Sequence, residues 1–69
     1  MKLIAMSDTP ISTFALFSVD GEEMFLNYYK SRNSYTVTDK SDNYLDFSQE
    51  ECKDILNNLK KQHNFGKEK

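Results

Sequence analysis

The dipeptide Asp20-Gly21 sits inside TFALFSVDGEEMFLNYY, residues 13–29, and constrains the chain more than any other feature. Asp-Gly is the strongest short hairpin signal, because both central positions of a type I′ turn need positive φ. A two-residue loop there makes paired residues sum to 41. Phe17 then faces Met24, Ala15 faces Leu26 and Thr13 faces Tyr28 on one side of the ribbon. Ser18 with Glu23, Leu16 with Phe25 and Phe14 with Asn27 occupy the other. Large apolar groups therefore lie on both faces of one hairpin. A competing reading uses Thr9 as an N-cap, Pro10 as the first helical residue and a short helix to Phe17. The strand is preferred because the turn follows FALFSV at once.

Further turns extend the sheet. A two-residue loop at Arg32-Asn33 sets Tyr28 opposite Val37 and Lys30 opposite Tyr35. A three-residue loop over Ser41-Asp42-Asn43, with Asn43 left-handed, sets Phe47 opposite Val37 and Leu45 opposite Asp39. All these turns agree on one apolar surface. KLIAM, residues 2–6, reads as another strand or as a segment folding Leu3, Ile4 and Met6 over the second face.

One helix follows. Ser48-Gln49-Glu50-Glu51 is a capping box, with Phe47 and Cys52 placed for a hydrophobic staple. Cys52, Ile55, Leu56 and Leu59 fall at i, i+3, i+4 and i+7, the spacing of one buried stripe. Glu50 and Glu51 lie at the positive end of the helix dipole, and Lys60 and Lys61 at the negative end. The expected fold is α+β: an antiparallel meander of four to five strands with one C-terminal helix packed on one face. The strands fall at about 2–6, 13–19, 22–30, 34–40 and 44–47, and the helix at about 49–62 with a frayed tail over 64–69.

With 69 residues the chain makes a single small domain with a small core. The lone Cys52 has no internal disulfide partner, which favours a reducing compartment. No run of about 18 apolar residues is present to span a membrane, and MKLIAMSDTP is too short in apolar character for a signal-peptide core. The expected setting is the cytoplasm, with the chain complete as it stands. The net charge of −2 excludes no partner class.

No catalytic pattern emerges. DKSDNYLDFSQE, residues 39–50, places Asp39, Ser41, Asn43 and Glu50 as a calcium loop would, but has Tyr44 where the loop needs Gly and Asp46 where it needs an apolar residue. His63 is the only histidine, without the further ligands zinc needs. Cys52 and His63 are about 16 Å apart along one helix at 1.5 Å per residue, too far for a nucleophile pair. Cys52 reads as a small buried hydrophobe. GxSxG and phosphate-gripping glycine loops are lacking. No enzyme activity, cofactor or metal is expected.

Since one helix shields one face, Phe14, Leu16, Phe25 and Tyr29 remain on the other, and such apolar patches mark interaction sites. The expected function is non-catalytic protein binding, to a second copy or to a larger foreign protein, as an accessory or inhibitor protein. Two alternatives stand beside it. Tyr28, Tyr29, Tyr35 and Tyr44 with Lys30, Arg32 and Lys40 suggest a single-stranded nucleic-acid platform, although the acidic pI of about 5.2 weakens the electrostatic attraction. Asp42, Asp46 and Glu50 lie in an acidic stretch able to meet a basic surface, as an acidic inhibitor of a nucleic-acid-binding protein does. In its Lys/Asn/Ser/Asp-rich composition the chain is similar to small accessory proteins of low-GC bacteria or their phages, a likeness that assigns no residue a role.

Overall fold

The structure, a computed structural model, describes the backbone of residues 1–67 and side chains through residue 64. It is an α+β fold. Four antiparallel strands, β1 (Lys2–Asp8), β2 (Ser12–Val19), β3 (Glu22–Tyr29) and β4 (Ser34–Asp39), lie in chain order across one open sheet. Helix α1 (Gln49–Lys67) packs on one face.

The β2–β3 hairpin forms as the turn chemistry dictates. Asp20 and Gly21 have φ of 52° and 83°, the left-handed pair of a type I′ turn. Phe17 pairs with Met24, Ala15 with Leu26 and Leu16 with Phe25. The next two turns differ from those expected: the first is longer and the second lies one residue earlier. The β3–β4 connection has four residues, because Asn33 takes the left-handed conformation alone and Ser34 already pairs with Tyr29. Tyr28 therefore opposes Tyr35, and Val37 opposes Leu26. After β4, Asp42 rather than Asn43 is left-handed, and Asp42 N–H donates to Asp39 O. The expected strand at 44–47 contracts to one bridge, Thr38 with Tyr44, flanked by bonds from Leu45 N to Val37 O and from Asp39 N to Asn43 O. Both register differences are two residues, so every side chain keeps its face.

β1 pairs along the edge of β2 instead of folding over the sheet. Its register slips by one between Leu3 and Ala5, a bulge at Ile4. Leu3 and Met6, three apart, thereby both reach the helix side, opposite Phe17 and Ala15. An unbroken strand would have turned one of them outward.

The core sits between sheet and helix. Ala15, Phe17, Leu26 and Val37 meet Cys52, Leu56 and Leu59, all buried. The helix starts as a capping box: Glu51 N–H donates to Ser48 Oγ at 3.1 Å, and Ser48 N–H donates to Glu51 Oε1 at 3.1 Å. It continues past residue 62 because nothing before Gly66 interrupts it. The last two residues of the expected frayed tail lie outside the described residues.

Two glutamines on α1 tie the helix to opposite edges of the sheet. Gln49 accepts from Tyr35 N–H at 2.8 Å and donates to Tyr35 O at 3.1 Å, filling the place of a neighbouring strand beside β4. Gln62 accepts from Leu3 N–H at 2.9 Å and donates to Met1 O at 3.3 Å beside β1. Thirteen residues separate them, about 20 Å of helix at 1.5 Å per residue. Four strands about 4.8 Å apart span about 14 Å between outer axes, so the helix is long enough to reach both edges.

Two carboxylates link the fold to pH. Lys30, whose ammonium lies 2.9 Å from Asp8, and the Thr13 hydroxyl at 2.8 Å hold the Asp8 carboxyl below its ordinary value. Backbone donation from Asn43 and Ser41 does the same for Asp39. A lowered folded-state pKa gives stability that is present above the unfolded value and lost as pH falls through the folded one. The denaturation midpoint is therefore expected to hold above the ordinary carboxylate pKa of 3.8 and to fall below it. The double variant Asp8→Asn, Asp39→Asn should show a shallower fall in urea titrations at successive pH values. An equally steep fall in that variant would remove these two groups as its cause.

Candidate functional site

The sheet face opposite α1 is the candidate site. Strand alternation places Ala5, Leu16, Phe25 and Thr38 in one cross-strand row, extended by Tyr44 through its bridge to Thr38. The next row holds Ser7, Phe14, Asn27 and Thr36. Phe14 and Phe25 sit on a diagonal and stack, with ring centroids 5.7 Å apart and planes 27° from parallel. Stacking shields part of each ring, and both remain half-buried, as does Leu16. Among the described residues, no second layer lies over this face.

The structure thus brings together three of the four apolar residues expected to bind. Tyr29 is on the same face but further along, 39% exposed, beside a shallow cleft with Ile11, Ser12, Ser31 and Arg32. Two further exposed residues, Tyr44 and Ile4, were not among the side chains expected to bind a protein. Tyr44 is 78% exposed. Its place was readable from alternation, since Leu45 and Phe47 both face the core. Ile4 is exposed because the bulge displaces it, and only the odd spacing of Leu3 and Met6 in KLIAM hints at a bulge.

The other candidate groups are placed differently. Tyr28 and Tyr35 stack on the core face at 4.5 Å, and the Tyr28 hydroxyl donates to Asn33 Oδ1 at 2.9 Å. Burial raises the Tyr35 pKa, and Tyr28 adds to that. Lys30 is held by Asp8 and by Thr9 O at 2.7 Å, and Lys40 lies 3.7 Å from Glu23. Of the tyrosines weighed for base stacking, Tyr29 and Tyr44 stay exposed. Asp42, Asp46 and Glu50 are exposed on a turn, an extended segment and the first helical turn respectively.

Asp39 closes its own turn, accepting from Ser41 N–H and Asn43 N–H at 2.8 and 3.0 Å. Among the described residues, no group of three or more His, Cys, Asp or Glu side chains is placed to hold a metal ion. Cys52 is buried in the core, and burial, with Glu51 adding, pushes its thiol pKa up, away from the reactive thiolate. His63 is half-buried beside Met6, Asp8, Thr13, Lys60 and Asn64.

Among the described residues no helix is long and apolar enough to cross a membrane. No protein-family model matches the sequence, and neither a curated protein nor a solved structure does so.

Proposed function

We propose that the protein is a non-catalytic protein-binding module that docks through the open sheet face. Phe14, Leu16 and Phe25 form the centre of the contact, and Tyr29 and Tyr44 its aromatic margins. One observation carries this reading: three large apolar side chains stay half-exposed on a face that no other part of the described chain covers. A contiguous apolar patch on a small protein gains free energy when a partner removes it from water, by about 25 cal/mol per Å². The module acts in a reducing cytoplasm, a setting supported by its single buried thiol.

In-cell photo-crosslinking tests the proposal. A photoreactive phenylalanine analogue at position 16 should give covalent protein adducts in cells of the native host. The same analogue at Asn57, exposed on the helix, should give none above background. Adding Phe25→Ser should diminish the adducts at position 16 while leaving the far-ultraviolet circular dichroism unchanged. Equal yields at the two positions would overturn the proposal.

A further inference from the structure

We infer that the occupant of the open face is a second copy of the chain, packed sheet against sheet about a two-fold axis with the helices outermost. This rests on the open face being a protein-binding surface and names what it binds.

Closure of the edges is the first argument. A sheet can recruit a second copy by pairing edge to edge or by packing face to face. The β4 edge is occupied. Gln49 holds Tyr35 N–H and O, Leu45 N–H donates to Val37 O, and Asp39 receives Asp42 N–H and donates to Asn43 O. On β1, Gln62 holds Leu3 N–H and Met1 O, and the bulge at Ile4 breaks the register just beyond. Only the short stretch after the bulge is left for edge pairing. The broad unoccupied surface is the face.

Charge is the second argument. In an isologous contact a charge near the axis is buried against the partner face and lies close to its own copy, so it is disfavoured on both counts. The two central rows of the face, Ala5–Leu16–Phe25–Thr38 and Ser7–Phe14–Asn27–Thr36, carry none. Lys2 and Glu23 share a row at one end, and Glu23 has Lys40 beside it at 3.7 Å. An axis running along the strands between β2 and β3 lays Leu16 of one copy on Phe25 of the other, twice over. Aligned sheets accept such packing at about −30° between strand directions.

Area is the third. Four strands about 4.8 Å apart and eight residues rising about 3.3 Å each give a face of about 500 Å². Two copies bury about 1,000 Å², the lower bound for a specific interface. An interface at that lower bound belongs to the weak, reversible class.

Sedimentation velocity on the purified full chain, from micromolar to millimolar concentration, tests this. The wild type should shift from monomer to dimer. Asn27→Lys places a charge at the face centre without removing an apolar group. It should raise the dissociation constant at least about tenfold, since the same axis lays position 27 on Phe14 of the other copy and so buries an unpaired charge against an apolar ring. Its circular dichroism should match the wild type. Thr38→Lys does the same from β4 if Asn27→Lys fails to fold. A wild type that stays monomeric throughout overturns the inference, as does a folded lysine variant that dimerises like the wild type. If crosslinking at position 16 then yields adducts of foreign mass, the docking function stands and only its occupant changes.

Discussion

Replacing Phe17 with alanine is expected to leave most of the chain unfolded at room temperature, whereas the same replacement at Phe14 is expected to leave it folded. The two residues lie on opposite faces of β2. Phe17 is wholly enclosed between Met24 and Leu3 on its neighbouring strands and the helix above. Truncating a buried Phe costs about 3–5 kcal/mol, the lost transfer energy plus the cavity left behind. A single small core of this size rarely supplies more than about 3–5 kcal/mol in all. Phe14 is half-buried and its chief aromatic partner is Phe25. Its truncation forfeits a stacking contact of about 1 kcal/mol and some partial burial. Circular dichroism and the dispersion of amide proton resonances would separate the two outcomes. An unfolded Phe14→Ala beside a folded Phe17→Ala would mean that the open face, not the helix-covered one, is the core.

The double variant Gln49→Ala, Gln62→Ala has the next largest expected effect. Each amide makes two hydrogen bonds to an edge strand. A typical net contribution is about 0.5–1.5 kcal/mol per bond, toward the lower end where water reaches the groups. The pair is therefore expected to cost about 2 kcal/mol, read as a lowered urea midpoint. The larger consequence lies in solubility. Without the glutamines, Tyr35 and Leu3 present unpaired backbone groups at both sides of the sheet, and uncovered edges template pairing between molecules. Light scattering should show the double variant growing into species larger than a dimer. Gln49→Glu keeps the acceptor for Tyr35 N–H but loses the donor for Tyr35 O, and should fall between wild type and Gln49→Ala. Unchanged scattering and an unchanged midpoint in the double variant would show that the edges need no cover.

Much of this architecture was legible in the sequence, for identifiable reasons. The Asp20-Gly21 turn fixes its hairpin register because few other conformations satisfy that pair. The helix is marked by its capping box and by the spacing of Cys52, Leu56 and Leu59. The later registers were misjudged by two residues. Asn33 and Asp42 each supply one left-handed position; the loop at Asn33 lengthens to four residues and the loop at Asp42 moves back by one. Those misjudgements did no harm to the site, because a strand repeats its facing every second residue.

A shift of one residue is a different matter. The bulge at Ile4 reverses facing partway along β1, and only the odd spacing of Leu3 and Met6 hints at it. The glutamine ties were illegible, since Gln49 and Gln62 sit at polar positions of the helix like Asn57 and Asn58. Their role depends on where the helix lies across the sheet, which local pattern does not encode. The patch residues Phe14, Leu16 and Phe25 were legible from the hairpin alone.

The bond between Leu3 and Gln62 spans nearly the whole chain. On the ribosome, strands are made in the order in which they pair, so the meander can assemble as it emerges. Phe17 and Leu26, however, have no lid until Cys52, Leu56 and Leu59 have left the exit tunnel. The nascent sheet is thus oily on both sides until the helix emerges. A translational pause while the helix is still inside the tunnel would prolong that vulnerable interval, and one after it has cleared the tunnel would not.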